Sequence, residues 1–314
     1  MRRCVLALVA TAPLLGPLTF ASAAPPEYHQ AVTTAGPLLA YRFDEPSGNI
    51  VNYGSYGAGY NAQAFGTVGR SVESPGGDTG VEVGEGDYLE SLGASTLTGN
   101  PTFSIEAVVW LEEPGSASLW GTFLHWGDAT GNRTGKEVYF GIQANDNRRL
   151  YAGFYNAGIR SQGRALANRW LHIVWTRVGG NNSEAGSTLY VNGYAMPIER
   201  DTQLNPGFLT AGQISIPSTN FRINAGRDFN RYFTGKLDEL ALYDRVLTPA
   251  EIAERSAMVS CRADFDGSGF VDTDDFDAFV YAFEEGDENT DFDGSGFVDT
   301  DDFTAFVLTF ETGC

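Results

Sequence analysis

Phe103-Ser-Ile-Glu-Ala-Val-Val-Trp110 and Trp170-Leu-His-Ile-Val-Trp-Thr-Arg177 decide the fold class. In each stretch apolar and polar positions alternate, and β-branched and aromatic side chains dominate. That is the pattern of a half-buried strand, because successive side chains on a strand point to opposite faces. The same grammar recurs at Ser187-Thr-Leu-Tyr-Val191, followed at once by Asn192-Gly193, a two-residue hairpin signal. Helix-periodic stretches are few between residues 35 and 258, and glycine-rich turns are many. Numerous short strands joined by such turns argue a β-sandwich, and a domain of this length fits a jelly roll of two broad sheets.

Outward from these strands, the ordered set of segments carries a resemblance. Leu39-Ala-Tyr-Arg-Phe-Asp-Glu-Pro-Ser-Gly48 opens it and Gly86-Asp-Tyr-Leu-Glu90 follows. The set closes on Phe233-Thr-Gly-Lys-Leu-Asp-Glu-Leu-Ala-Leu-Tyr-Asp-Arg-Val-Leu-Thr-Pro-Ala-Glu-Ile-Ala253. This resembles the laminin-G-like jelly roll of the concanavalin A-like superfamily. The resemblance implies that Leu237, Leu240, Leu242 and Tyr243 form a late strand near the N-terminal one. It also suggests that Asp44 and Asp238 lie close and hold a structural calcium; the alternative is a pair of surface turn acids. Thr248 is a helix cap with Pro249 at the first helical position, where a missing N–H costs nothing.

A second unit follows. Asp264-Phe-Asp-Gly-Ser-Gly-Phe-Val-Asp-Thr-Asp-Asp-Phe276 recurs letter for letter at 291–303, an offset of 291 − 264 = 27 residues. Each copy places oxygen ligands where a twelve-residue calcium loop needs them. These are Asp264, Asp266, Ser268, Asp272 and Asp275, then Asp291, Asp293, Ser295, Asp299 and Asp302, with the carbonyls of Phe270 and Phe297 as further donors. Gly269 and Gly296 sit where the chain must turn sharply. Magnesium fits less well, since it keeps its waters. After each loop a stripe begins, Phe276, Phe279, Val280, Phe283 and then Phe303, Phe306, Val307, Phe310, the spacing of an amphipathic helix. Neither helix buries its aromatic face alone, so the pair is expected to pack about an approximate twofold and to fold with its metal. Residues 261–314 thus resemble dockerin-type modules of two EF-hand loop-helix repeats. The resemblance implies calcium binding and, through loop positions ten and eleven, a cohesin-like partner. Here those positions hold Thr273-Asp274 and Thr300-Asp301 rather than paired small hydroxyl residues.

Charge and cysteines fit an exported protein. The net charge of the 314 residues is −20, and 261–314 hold sixteen acids against Arg262, or 1 − 16 = −15. The remainder is only mildly acidic, and no basic face points to nucleic acid. Arg2 and Arg3 precede an apolar run to Phe20 and then Ala21-Ser22-Ala23, a secretory signal over 1–23. Cys4 leaves with it, and Pro25-Pro26 suit an extended mature start. No later run is long enough to span a bilayer. In such a chain a Cys261–Cys314 disulfide clipping the module's ends is the default, with free thiols or an intermolecular bond as alternatives.

Catalytic signals are sparse. The chain has no nucleophile elbow and no zinc-protease helix. His172, in a Trp-rich strand, reads as a hydrogen-bonded structural residue. Glu85-Gly-Asp87-Tyr-Leu-Glu90 matches the Glu-x-Asp-x-x-Glu spacing of laminarinase-type hydrolases, making Glu85 and Glu90 the candidate acids. Gly86 stands where an apolar residue belongs. Trp120, Trp126, Tyr151, Tyr155 and Tyr232 are candidates for a sugar-stacking platform. The reading is a mainly β, concanavalin A-like jelly roll over 35–258 with a small C-terminal α module of two calcium loop-helix repeats. Its expected work is noncatalytic recognition of a glycan or extracellular protein, secreted or at the cell surface. The alternatives are a polysaccharide hydrolase or a structural surface component.

Overall fold

The computed structural model describes residues 26–74, 79–112, 120–127, 130–143, 149–164, 169–202, 207–226, 231–259, 263–265, 271–292 and 297–312. The expected signal at 1–23, Cys261 and Cys314 lie outside them. Two antiparallel sheets pack face to face as a sandwich.

The first sheet holds β1 (Leu39–Tyr41), β3 (Gly69–Glu73), β4 (Thr79–Val83), β6 (Phe103–Leu111), β11 (Trp170–Arg177), β12 (Ser187–Val191), β13 (Tyr194–Met196) and β16 (Gly235–Tyr243). Its order is β13-β12-β11-β6-β16-β4-β3, with β1 also on β16. The second holds β2 (Ala62–Phe65), β5 (Tyr88–Ala94), β7 (Trp120–Gly127), β8 (Glu137–Gln143), β9 (Arg149–Phe154), β10 (Ala157–Arg164), β14 (Ile198–Arg200) and β15 (Asn220–Ile223). It runs β14-β10-β9-β8-β7-β15-β5-β2.

The sequence cues work locally. Val191 pairs with Tyr194 across a two-residue turn, with Asn192 and Gly193 both at positive φ, as the hairpin signal requires. Leu39, Ala40 and Tyr41 pair with Leu242, Ala241 and Leu240, so the late strand does lie beside the first. The main core fills the space between sheets with Phe103, Ile105, Trp126, Phe140, Phe154, Trp175, Phe221 and Leu240 among others.

The segment at Pro26, expected to be extended, is helical. Pro26–Thr34 form helix α1, and Pro249–Ala257 form α2, capped reciprocally by Thr248 and Glu251. Both pack on the outer face of the first sheet, where Tyr28, Val32, Leu247 and Ile252 meet Val108, Val174, Ala241 and Tyr243. Two prolines permit a helix here because Pro25 precedes it and Pro26 occupies its first position.

One carboxylate organises this layer. Glu106 Oε1 accepts from Tyr28 OH (3.1 Å), His172 Nε2 (2.7 Å) and Arg255 Nε (2.7 Å), and Oε2 accepts from Tyr243 OH (2.9 Å). Burial pushes the Glu106 carboxyl up, but His172 and Arg255 outweigh it and hold it at about 2. His172 is thus the structural residue its strand suggested.

Beyond α2 come α3 (Thr273–Glu284) and α4 (Thr300–Thr312). Their phenylalanines form a separate core in which equivalent residues, 27 apart, repeat each other's contacts. Phe279 and Phe306 stack at 3.9 Å; Phe265–Phe279 and Phe292–Phe306 meet at 5.3 and 5.4 Å; Phe276–Phe310 and Phe303–Phe283 at 5.6 and 5.7 Å. The approximate twofold is therefore present. Among the described residues no helix is long and apolar enough to cross a membrane.

Candidate functional site

The second sheet presents its polar side away from the core. Val138, Phe140 and Ile142 point inward with Leu150, Ala152 and Phe154. Strand alternation then sends Glu137, Tyr139 and Gln143, with Arg149 and Tyr151, to the opposite face. Register aligns one row straight across it: Glu90–Arg222–His125–Tyr139–Gly153–Gly158. The row ends in two residues without side chains. A Cβ at 158 would collide with the Tyr151 ring, so Gly158 is what lets that ring lie over the strand.

The centre of the row is a buried hydrogen-bonded cluster. Glu137 Oε2 meets His125 Nε2 (3.1 Å) and Arg133 Nη2 (2.9 Å), and Tyr139 OH and Arg133 Nε also donate to this carboxylate. Burial raises the Glu137 carboxyl, yet these donors outweigh it and hold it at about 2. Burial pushes His125 down by more than Glu137 lifts it, with Arg231 and Arg222 adding like-charge repulsion, so the ring is neutral at pH 7. Burial pushes the Tyr139 hydroxyl up.

Around this centre Trp120, Arg133, Tyr155 and Arg231 are half-buried, whereas Tyr151 and Arg222 are buried. Trp120 stands edge-on to Tyr151 at 4.4 Å; Arg133 lies over Tyr155 at 4.2 Å; Arg231 lies 4.4 Å over Tyr139 and 5.6 Å over Trp120. Arg222 pairs with Glu90 at 2.6 Å and lies over Tyr88 at 5.4 Å. Further along, Arg160 and Arg149 share Glu199, and Gln143 donates to buried Asp201 at 2.8 Å. The face thus offers aromatic edges, fixed donors and fixed acceptors over several strands, which suits the ring faces and hydroxyls of a sugar.

Of the aromatic candidates, Trp120 is half-buried and pairs on this face with Tyr151, whose ring is itself buried, and half-buried Tyr155 lies under Arg133. Tyr232 is half-buried, its hydroxyl raised first by burial and then by Tyr88. Trp126 is corrected: it faces inward and is fully buried against Phe103 and Phe221. Sequence reasoning missed His125, Glu137, Arg222 and Arg231. The signal was there in Glu137-x-Tyr139-x-Gly141-x-Gln143 and Arg149-x-Tyr151-x-Gly153, alternations whose outward set is polar and aromatic.

The remaining acid candidates occupy several settings. Glu85 is exposed in the turn before β5, where Gly86 takes φ 88°, while Glu90 sits on the strand against Arg222. Asp87 between them caps the turn, accepting from Thr67 N and Gly84 N. Asp44 pairs with Arg42 at 3.3 Å, and Arg42 also approaches Glu239 at 3.8 Å. Asp238 is buried at a register shift in β16.

Of the duplicated loops, Asp264, Asp272, Asp275, Asp291, Phe297, Asp299 and Asp302 are described; Asp266, Ser268, Phe270, Asp293 and Ser295 lie outside the described residues. Among the described residues alone no three acids or histidines gather as a metal set. What is described repeats closely. Asp272 N donates to Asp275 Oδ2 (2.9 Å) and Asp299 N to Asp302 Oδ2 (2.8 Å). Asp274 N reaches Asp272 Oδ1 and Asp301 N reaches Asp299 Oδ1 at 2.9 and 2.8 Å. Asp275 and Asp302 are fully buried. All-oxygen, carboxylate-rich donors of this kind suit a hard cation.

A family model described as the concanavalin A-like lectin/glucanases superfamily matches residues 83–253. No curated relative matches the sequence. Among solved structures, Trypanosoma rangeli sialidase in complex with sialic acid is 15% identical at TM-score 0.50, over 77% of this chain and 38% of its own. Domain 4 of the extracellular arabinanase AbnA from Geobacillus stearothermophilus, in complex with arabinotriose, is 14% identical at TM-score 0.48, over 70% and 98%. The binding domain of botulinum neurotoxin serotype G is 13% identical at TM-score 0.47, over 70% and 50%. The chain thus spans well under half of the sialidase and half of the neurotoxin domain. At these identities the likeness to the sialidase is one of fold.

Proposed function

The chain belongs to the concanavalin A-like lectin/glucanases superfamily, and from that premise we propose that it is a noncatalytic carbohydrate-recognition protein. The reading rests on one observation: the cross-strand row from Glu90 to Gly158, rimmed by Trp120 and Tyr151, on the outer face of the second sheet. Each hydrogen-bonding group there is held by a strand rather than a loop tip, which suits recognition with little ordering cost. Catalysis fits the same residues poorly. A retaining hydrolase needs one carboxyl protonated near neutral pH and a second beside it. Glu137 is held ionised, Glu90 is tied to Arg222, and Glu85 stands in a turn.

The test is titration of the full chain with a soluble glycan panel, followed by Trp fluorescence, alongside turnover assays on the same glycans. Saturable binding that falls about tenfold or more in Trp120→Ala and Tyr151→Ala, roughly 1.4 kcal/mol or more, without turnover, supports the reading. Turnover lost in Glu90→Gln would replace it with hydrolysis.

The proposal extends to the whole chain. A jelly roll over 35–258 would be exported by the 1–23 signal and anchored through a dockerin-like module over 261–314, with calcium held by Asp264, Asp266, Ser268, Phe270, Asp272 and Asp275 and their repeats. A cohesin-like protein is the proposed partner of that module. The Asp44–Asp238 calcium has less support, since Arg42 already supplies a cation at Asp44. Cys261 and Cys314 would close the module, which unreduced mass spectrometry tests directly.

A further inference from the structure

On the same face, two carboxylates take two of the three guanidiniums around His125: Glu137 holds Arg133, and Glu90 holds Arg222. Arg231 is left over. Among the described residues it makes no ion pair, and its guanidinium lies over the rings of Tyr139 and Trp120. We propose that Arg231 binds an anionic group of the sugar ligand, a carboxylate or a sulfate ester, so that the face selects acidic glycans. This deepens the carbohydrate reading and rests on it.

Three further observations support the assignment. Arg231 takes φ 69°, a left-handed conformation that a long side chain adopts at a cost. The backbone around it is pinned: Thr122 N donates to Arg231 O at 2.9 Å, and Phe233 N donates to Asn224 Oδ1 at 2.8 Å. The residue is half-buried, and its guanidinium lies 4.4 Å over the Tyr139 ring. A planar fork held this way suits two parallel hydrogen bonds to a carboxylate or sulfate. Trp120, half-buried and edge-on to Tyr151, supplies a ring beside which the sugar carrying that anion would sit.

The experiment uses the full chain and short soluble fragments of three kinds: polygalacturonate as the carboxylated probe, carrageenan as the sulfated one and galactan as the neutral one. Calorimetry should give one charged probe an affinity at least about tenfold above galactan. Arg231→Gln should bring the two within about twofold at unchanged melting temperature, and Arg231→Lys should retain part of the preference. Which charged probe wins separates carboxylate from sulfate. Galactan binding as tightly as both charged probes, or a preference surviving in Arg231→Gln, overturns the inference and leaves the sugar site standing. Binding of none of the three overturns both.

Discussion

Glu106 and Glu137 are chemically alike and sit on opposite sheets, each a buried carboxylate ringed by donors. Their roles differ because of what surrounds them. Glu106 is sealed under α1 and α2, and its partners Tyr28 and Arg255 come from those helices. Replacing it with Gln leaves the Arg255 cation buried without its counter-charge. Glu106→Gln should therefore cost roughly 3–5 kcal/mol in urea unfolding. The sign with pH follows from both carboxyls lying below their ordinary value of 4.5, at about 2. Their stabilisation is whole above pH 4.5 and drains away as pH falls toward 2. His125 acts in the same direction from a higher start, because its folded value is depressed below 6.5 and unfolding takes up a proton. Urea midpoints at pH 7, 5 and 3 should fall with increasing steepness, and Glu106→Gln should flatten the acid limb. An unchanged slope in that variant would contradict the assignment.

At the scale of elements, β6 shows what alternation conveys and what it omits. The pattern from Phe103 to Trp110 identified a half-buried strand, while its pairing with β11 emerged only in the structure. It also implied that the other face meets water. That face is buried, because α1 and α2 cover it with Tyr28, Val32 and Ile252. α2 was legible from Thr248-Pro249 and Glu251. α1 was not, since a nine-residue segment opening on the second of two prolines has little helical signal of its own and owes its stability to the sheet beneath it. The same reasoning explains the candidate site: β8 and β9 were short of cues because polar residues buried on a sheet's outer face look, in sequence, like solvated ones. The Phe stripes after each duplicated loop were legible in full, since their partner was their own copy. Removing residues up to Gly36 should expose Val108, Val174 and Tyr243. Tyr28 and Val32 are both fully buried and together account for roughly 3–5 kcal/mol. The truncated jelly roll should melt well below the full chain, whereas an equal melting temperature would show that α1 contributes nothing.

At the scale of the molecule, the chain holds two cores of different kinds. The jelly roll buries a continuous apolar interior; the tail buries one cluster of rings between two helices. The tail also carries −15 of the net charge of −20, in about a sixth of the chain. Such a density of carboxylates repels itself, and the stacked rings must offset that repulsion unless cations do. One described link between the units is Arg169, whose Nη2 donates to the Phe265 carbonyl at 2.9 Å and whose guanidinium lies 5.7 Å from that ring. Phe265 follows Asp264, the first residue of the duplicated loop, so the link belongs to the segment that a metal would order. If calcium folds the tail, adding it should raise only the tail's unfolding transition, since any ligand of the folded state stabilises by mass action. Calorimetry of the full chain should then show two transitions. The smaller should rise with calcium and collapse in excess chelator together with part of the helical circular dichroism, while the larger stays put. Asp275→Ala and Asp302→Ala, which remove the buried acid of each loop, should each weaken the calcium response. A single transition indifferent to calcium, with full helicity in chelator, would mean that the rings alone hold the tail.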